Sequence, residues 1–433
     1  MGLTANADFL SADEQAHLRQ SAWLRQRTHV LGDSPFFQRL WDGQEPPATL
    51  SELPSLPLCD KEDLRQSQRE HPPCGDYLAT PMTRANRIHR TGGTTGEAMN
   101  LALSARDAHI TAVVGGRAHT ASGLGPGHRV IHCMNYQLWM GGLTDHLTLE
   151  QTGATVVPFG VGDSVRLIRT IRELGVTAIS STPSYPAVLA RVIEEEFPDL
   201  EPADLGLRLG LFGGEPGVDD PEFARRMHAT WGMTARNANY GVTDVMSNIA
   251  GQCEHSSALH FMAPDVLHAE IIEPETGAVL PIEAGISGEL VLTHLERECQ
   301  PLVRFRTGDV IAVEATGPCV CGRTVPRFRV KGRSDDMVVI RGINVFPTQV
   351  AAEINALDTL SGEYRIRLRG APPHDRLPLE VELASGADAP ADLATNLTAR
   401  IKQSLGVTAS VELLPAGSLP RTAGKTRRVI REN

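Results

Sequence analysis

The side chains in this sequence that can carry chemistry fall into a few short groups. The first is Arg90-Thr91-Gly92-Gly93-Thr94-Thr95-Gly96. Its glycines let a ligand approach the backbone, and its hydroxyls and amides can hydrogen-bond phosphate oxygens. It lacks the Gly-Lys-Ser/Thr ending of a Walker loop, so it is not that cradle, and by itself it also reads as an ordinary turn. The second group is Cys253, His255, His260, Cys319 and Cys321. Three thiolates and one imidazole can make a tetrahedral Cys3His zinc site, with His260 as the fourth ligand and His255 as the competing imidazole. Cys-x-Cys is a less diagnostic pair than Cys-x2-Cys, and on the residues alone buried free thiols are the plainer reading. Then come carboxylates at glycine turns: Glu215 after Gly213-Gly214, Asp244 after Gly241, and Asp309 after Gly308. Glu215 should face a cleft, because an unpaired buried carboxylate is costly. Last is Lys425, carried by a Pro-Arg-Thr-Ala-Gly turn in the basic run 420–428, which alone reads as a solvated tail.

The elements that must position these groups follow from periodicity. From about 105 to 235, apolar strands at 128–133, 155–158 and 177–181 alternate with helical stretches at 163–174 and 185–196. Such alternation implies parallel strands joined by crossover helices, with ligands at the carboxyl ends of the strands. The turns at those ends are Asn135-Tyr136-Gln137, Thr182-Pro183-Ser184, Gly213-Gly214-Glu215-Pro216 and Asn239-Tyr240-Gly241, and several should meet in one cleft. Tyr136, Trp139 and Met140 read equally as core or as pocket lining. Over 245–330 the texture changes to short β runs at 269–272, 288–293 and 310–313, the pattern of a small antiparallel or barrel-like part. Upstream, 10–30 predicts a helix opened by a capping box at Ser11 and Glu14, with Leu18, Trp23 and Leu24 at helical spacings. The stretch 44–82 is rich in proline and charge and reads as an irregular wrap.

Residues 332–347 form a joint: a charged turn, an apolar run, a glycine turn and a second apolar run stopped by Pro347. Beyond it, a helix at 348–357, β runs at 364–368 and 377–383, a helix at 391–405 and a β run at 410–414 predict a small α+β lid. A chain of 433 residues, 41% of them hydrophobic, can bury a sizeable core and should divide into more than one domain. A formal charge of −11 argues against a nucleic-acid or membrane-surface role. No run approaches the roughly 18 apolar residues of a membrane helix, and Met1–Asp8 is no signal peptide, so a soluble, cytoplasmic protein is expected. Seven cysteines, an odd number, are no disulfide framework.

The joint also carries a resemblance. GRSDDMVVIRGINVFP (332–347) closely resembles the hinge motif of the adenylate-forming ligases, in their phenylacetate-CoA ligase-like branch. RTGGTTGEAMN (90–100), NYQLWMGGLTDH (135–146), STPSYPAVLA (181–190), LFGGEPG (211–217), NYGVTD (239–244), RFRTGD (304–309) and SLPRTAGKTRR (418–428) agree with that branch in the same order, from about residue 80 onward. The resemblance implies an α/β fold, with a large N-terminal body of α/β layers carrying a small β subdomain, and a small C-terminal α+β lid. The corresponding domains are 1–334, binding ATP and acid, and 335–433, a mobile lid turning about Asp335.

By the same resemblance, Thr91, Gly92, Gly93, Thr94, Thr95 and Gly96 grip the β- and γ-phosphates of ATP, although Glu97-Ala98 departs from the usual Lys-Pro. Gly214, Glu215, Pro216, Asn239, Tyr240 and Gly241 flank the adenine, with Tyr240 stacked on it, and Asp309 takes the ribose hydroxyls, with Arg333 also on the nucleotide. Tyr136, Trp139 and Gly213 border the acid. Asp244 stands where the family has a glutamate associated with Mg2+, and one methylene is lost. Some relatives hold a structural zinc in a pattern like Cys253, His260, Cys319 and Cys321, which favours zinc over free thiols. Lys425 matches the catalytic lysine. The implied activity is ATP-dependent conversion of an aryl or arylacetic acid to acyl-AMP, then transfer to the thiol of CoA. An amide-forming or carrier-protein-loading enzyme would use the same acyl-AMP, and a binding module without catalysis draws support only from Glu97 and Asp244. The implied partners are a small carboxylic acid, ATP, and CoA or another thiol or amine acceptor, with no nucleic acid and no membrane, and with a homodimer as an open assembly state.

Overall fold

The computed structural model describes residues 3, 4, 6–91, 98–341, 343–370, 374–386, 389–419 and 428–432. The chain divides into two compact units, Met1–Thr307 with Ile311–Arg329, and Gly308–Val310 with Val330–Asn433. The division falls a few residues before Asp335 and takes Asp309 into the second unit. Among the described residues no helix is long and apolar enough to cross a membrane.

The first unit opens on α1 (Ala12–Asp33), which starts at the expected capping box between Ser11 and Glu14. Its inner face is Gln15, Ala22, Trp23, Gln26 and Val30, while Leu24 points out at 46% exposure. The buried glutamines are satisfied: Gln26 donates to the Arg297 carbonyl at 2.8 Å and accepts from the Arg297 N–H at 2.9 Å. After α2 (Pro35–Leu40) comes a helix that 44–82 did not advertise, α3 (Lys61–Glu70). Charge masks it, since only Leu64 and Ser67 are buried in ten residues. Asp60 and Asp63 form the capping box that starts it.

A hairpin of β1 (Arg87–Arg90) and β2 (Asn100–Leu103) and the helix α4 (Ala105–Ala121) lead into the alternating part. This comprises β3 (Arg129–His132), α5 (Met140–Glu150), β4 (Thr155–Pro158), α6 (Ser164–Leu174), β5 (Ala178–Ser181), α7 (Tyr185–Glu196), β6 (Leu209–Gly213), α8 (Pro221–Trp231) and β7 (Thr234–Val242). The strands are parallel in the order β4-β3-β5-β6-β7. Ile131, Ile168, Ile179, Leu189 and Phe212 are among the side chains buried between strands and helices.

The antiparallel strands expected over 245–330 are β8 (Met246–Cys253), β9 (Ser256–Phe261), β10 (Leu267–Ile272), β11 (Val279–Leu280), β12 (Ser287–His294), β13 (Phe305–Ala315) and β14 (Arg327–Arg333). They extend the parallel strands into one open sheet of twelve described strands, β11-β10-β12-β13-β14-β9-β8-β7 and onward from β7. The nine-residue β7 makes this possible. Residues from Thr234 on pair parallel with β6, and Tyr240 and Val242 pair antiparallel with β8.

The second unit holds the hairpin β15 (Val338–Ile340) and β16 (Ile343–Val345), then α9 (Pro347–Asn355), β17 (Leu360–Arg369), β18 (Leu377–Leu383), α10 (Leu393–Leu405), β19 (Ala409–Leu414) and β20 (Val429–Glu432). Its sheet runs β19-β18-β17-β20. Alternation along β17 sets its faces: Tyr364, Ile366 and Leu368 enter a core shared with Ile354 and Leu397, while Arg365 and Arg367 pair with Glu380.

Candidate functional site

The glycine loop is held at its neck. The Thr91 N–H donates to the Met99 carbonyl at 3.0 Å, and the Met99 N–H donates to the Thr91 hydroxyl at 3.0 Å. The Arg90 N–H donates to the Leu138 carbonyl at 2.8 Å, which ties the neck to the turn after β3. Gly92, Gly93, Thr94, Thr95, Gly96 and Glu97 themselves lie outside the described residues.

In that turn Tyr136 is half-buried, and its hydroxyl lies 2.9 Å from His146 Nδ1 on α5. The turn and helix touch closely: an ideal Cβ on Gly142 would stand 2.4 Å from the Asn135 carbonyl oxygen. Trp139 precedes α5 and is 37% exposed, which places its indole outside the core.

The carboxyl ends of β6 and β7 approach each other as tightly. A Cβ on Gly213 would lie 2.4 Å from the Asn239 carbonyl oxygen, and one on Gly241 would lie 1.8 Å from that of Ser247, so glycine alone fits at both positions. Gly214 has φ +81 and open space around it. Glu215 is half-buried and accepts from the Ser184 N–H at 3.3 Å, joining two of the strand-end turns, while Pro216 is exposed. Tyr240 packs edge-on to Phe328 at 5.5 Å between ring centroids.

Asn239 faces the opposite side of β7 from Tyr240, as alternation requires, and its Nδ2 donates to Asp145 Oδ2 on α5 at 2.6 Å. Asp145 lies within the stretch 135–146, but its role was not legible there. It is 3% exposed, and burial pushes its pKa up to about 6, against the hydrogen bond from Asn239 and the nearby Ser247 hydroxyl. The raised value means that the folded chain keeps a proton up to about pH 6 that the unfolded chain releases near ~3.9. A penalty for the buried charge therefore sets in as pH rises through that window and is complete above it. Asp145→Asn should be more stable than the parent at pH 8, by up to about 3 kcal/mol at ~1.4 kcal/mol per unit, and no more stable below about pH 4. Thermal midpoints of both proteins across this range check it; a gain independent of pH would mean the carboxyl is not held back from ionising.

Asp244 is 6% exposed, with one oxygen 3.0 Å from Lys61 Nζ and the other buried without a partner. The unpartnered oxygen is a hard donor of the kind that a divalent cation takes. Lys61 opens α3, and the Asp60-Asp63 capping spacing was the one sequence signal that could have found it.

Asp309, Arg333 and Asp335 form a set within the second unit. Arg333 meets Asp335 through Nε at 2.8 Å and Nη2 at 3.0 Å, and Asp309 through Nη1 at 3.2 Å. Burial alone would lower the guanidinium pKa, but the Asp335 hydrogen bonds and the Asp309 and Asp335 charges outweigh it and hold it raised. Gly308, at φ +74, leaves space for this arginine, since a Cβ would stand 2.5 Å from Nη2. Upstream in the same motif, Arg304 is fully buried on Glu270 at 3.0 and 3.1 Å, which fixes the start of β13. Lys425 lies outside the described residues.

The Cys253, His260, Cys319 and Cys321 donors all lie within 4.8 Å of one another. Cys253 Sγ is 3.8 Å from Cys319 Sγ, and Cys321 Sγ is 3.6 Å from His260 Nε2. Tetrahedral zinc, with bonds of about 2.3 Å to sulfur and 2.0–2.1 Å to nitrogen, separates its donors by about 3.8 and about 3.6 Å. The donor set therefore fits the metal. His255 stays outside the group and supplies only its backbone N–H to Cys253 Sγ at 3.3 Å. Burial, helped by Arg323 and Arg327, pushes His260 down to about 4 and so favours the neutral ring a metal needs; its Nδ1 makes no hydrogen bond within the protein. Arg323, next to the cluster, is bolted to the N-terminal segment by Asp8 at 2.7 Å.

Residues 56–294 match the AMP-binding enzyme family, and 342–432 match the AMP-binding enzyme C-terminal domain. The chain is 33% identical to a phenylacetate-coenzyme A ligase of Thermus thermophilus, covering 95% of each chain. It is also 33% identical to one from Pseudomonas putida, covering 98% of this chain and 94% of that one. Among solved structures, 2-hydroxyisobutyryl-CoA ligase in the postadenylation state, in complex with R3-HIB-AMP, superposes with a TM-score of 0.87 at 30% identity, over 98% of this chain and 91% of that one.

Proposed function

The chain belongs to the AMP-binding enzyme family, in its phenylacetate-CoA ligase-like branch, and from that membership we propose that it activates a small aryl or arylacetic acid as its acyl-adenylate and passes the acyl group to CoA. The observation that carries this reading is the construction of the strand ends in the first unit. Gly213 and Gly241 admit no side chain, and the turn bearing Tyr136 and Trp139 is tied to the neck of the glycine loop.

A carboxylate is a poor electrophile because its leaving group would be oxide. Attack by its oxygen on the α-phosphorus of ATP forms the acyl–phosphate anhydride and releases pyrophosphate; attack by a thiolate on the acyl carbon then releases AMP. Neither step needs a covalent enzyme nucleophile, so the residues act by orientation and charge. Gly214, Glu215, Pro216 and Gly241 shape the adenine side, with Tyr240 as the stacking ring; Gly213, Tyr136 and Trp139 border the acid; the 91–96 loop holds the outer phosphates. Asp244 would hold Mg2+ through its unpartnered oxygen, and the ion would supply charge neutralisation at the phosphates, with Lys61 adding a second positive charge beside it. Cys253, His260, Cys319 and Cys321 would hold a structural zinc, closed by four protein ligands and with no part in the reaction. Asp335 is the proposed pivot of the second unit, and the cytoplasm the proposed location.

ATP–pyrophosphate exchange over a panel of acids tests the activation step, and product analysis with CoA against amines tests the acceptor. Exchange with no acid would remove the activity, and amide in place of thioester would move the second step to an amine. Asp309 is proposed to accept from both ribose hydroxyls, bonds worth roughly 1.5 to 3 kcal/mol each because the acceptor is charged. Asp309→Ala should therefore bind AMP about 10²-fold more weakly or worse in a direct titration. Normal AMP affinity in that variant would take the ribose role away from Asp309.

A further inference from the structure

The pair Asp145–Asn239 is not accounted for by acid activation, yet it sits among the residues proposed to border the acid. Asn239 abuts Gly213, and Asp145 is one helical turn from Gly141, whose absent side chain would stand 3.7 Å from Asp145 Oδ2 with nothing else within 4 Å. Burying a carboxylate at this position is expensive, and its Oδ1 has no hydrogen-bond partner; the Ser247 hydroxyl lies against the carboxyl without forming a well-aligned bond.

What the carboxylate does achieve is to fix the Asn239 amide. An ionised carboxylate only accepts, so the amide must turn its N–H2 toward Asp145, and the contact at 2.6 Å is that bond. The planar amide then points its carbonyl oxygen the other way. Asn239 is half-buried, and among the described residues that oxygen has no protein partner. Alternation along β7 keeps this acceptor off the Tyr240 face and on the face toward α5, the side of Tyr136 and Trp139.

We infer that Asn239, oriented by Asp145, presents its carbonyl oxygen to the acid, and that the acids this chain prefers carry a hydrogen-bond donor, a hydroxyl or amino group, on their acyl portion. Asn239 is the contacting residue and Asp145 a positioning residue. An acid without the donor leaves the acceptor desolvated and unpaired, which is how a polar site rejects an apolar analogue. The inference rests on the acid-activating reading and moves Asn239 from the adenine to the acid.

The test is ATP–pyrophosphate exchange with matched acids, phenylacetate and benzoate against their ring-hydroxylated and ring-aminated forms, read as ratios of kcat/KM. In the parent the best donor-bearing acid should exceed its unsubstituted partner by about tenfold or more, the worth of one buried hydrogen bond. Asn239→Leu, of similar volume, should bring the ratio to about one or invert it. Asp145→Ala should lower it likewise, whereas Asp145→Asn, whose carbonyl still accepts from Asn239, should retain most of it; a merely structural role for Asp145 would change rates without changing the ratio. A parent that prefers the unsubstituted acid, or a ratio unmoved in both Asn239→Leu and Asp145→Ala, overturns the inference and leaves acid activation standing. Exchange with no acid at all overturns both.

Discussion

Lys425→Ala is expected to depress ATP–pyrophosphate exchange at least about 10²-fold while leaving thioester formation from chemically made acyl-adenylate close to the parent rate. The asymmetry follows from where charge develops. Adenylation builds negative charge on the α-phosphate and its leaving pyrophosphate, and a preorganised ammonium there lowers that barrier. Attack of a thiolate on the acyl carbon expels AMP, a good leaving group, and gains little from the same cation. Lys425 lies in the basic run 420–428, downstream of Asp335 in the sequence. A lysine that serves only one half-reaction is consistent with Asp335 as a pivot. Equal losses in both half-reactions would instead make Lys425 a residue that holds its domain together, and the separation of roles would have to be abandoned. Lys425→Arg sharpens the result, because a guanidinium keeps the charge but loses the point geometry. It should recover part of the exchange rate.

How much of this was legible beforehand varies with the physics of each feature. The parallel strands and their helices were readable because each is set by local periodicity. The helix at 185–196 appears with the bounds its apolar spacing predicts. The helix α3 was hidden because it earns little burial; six of its ten residues are charged, and the stabilising feature is a cap at its first turn. Lys61 was lost with it, although its partner Asp244 was singled out. Along α1 the helix was found but its inner face was misjudged. Gln15 and Gln26 are buried because backbone carbonyls of other segments satisfy them, a tertiary condition that no spacing reveals. Asp145 was passed over for the same reason: its meaning lies in Asn239, 94 residues away. The choice between His255 and His260 was likewise a matter of register. His260 sits on β9 opposite Gly251 of β8 and Arg327 of β14, which brings its ring to the thiols, whereas His255 falls in the turn between β8 and β9.

That same register is the basis of the second large effect, on stability. The cluster joins β8, β9 and the loop 319–321, two parts of the chain separated by more than fifty residues, and Arg323 carries the tie on to Asp8 near the N-terminus. Without a metal, three thiols and a neutral imidazole would only pack; with one, each donor is held by a bond that the unfolded chain does not make, so the free energy of metal binding becomes stability of the fold. Protein purified without added metal should contain about one equivalent of zinc. Cys319→Ser should lose it and unfold at a midpoint lower by on the order of 10 °C, as should the parent after prolonged chelation. Cys133→Ser, which removes a buried thiol outside the cluster, should keep its zinc whatever it does to the midpoint, so metal content separates loss of a ligand from loss of packing. The nucleotide affinity of the Cys319→Ser protein that remains folded should match the parent, because all four ligands are spent on the protein and none is left for substrate. A metal-free parent, or a Cys319→Ser protein as stable as the parent, would reduce the cluster to four packed side chains whose spacing happens to suit an ion.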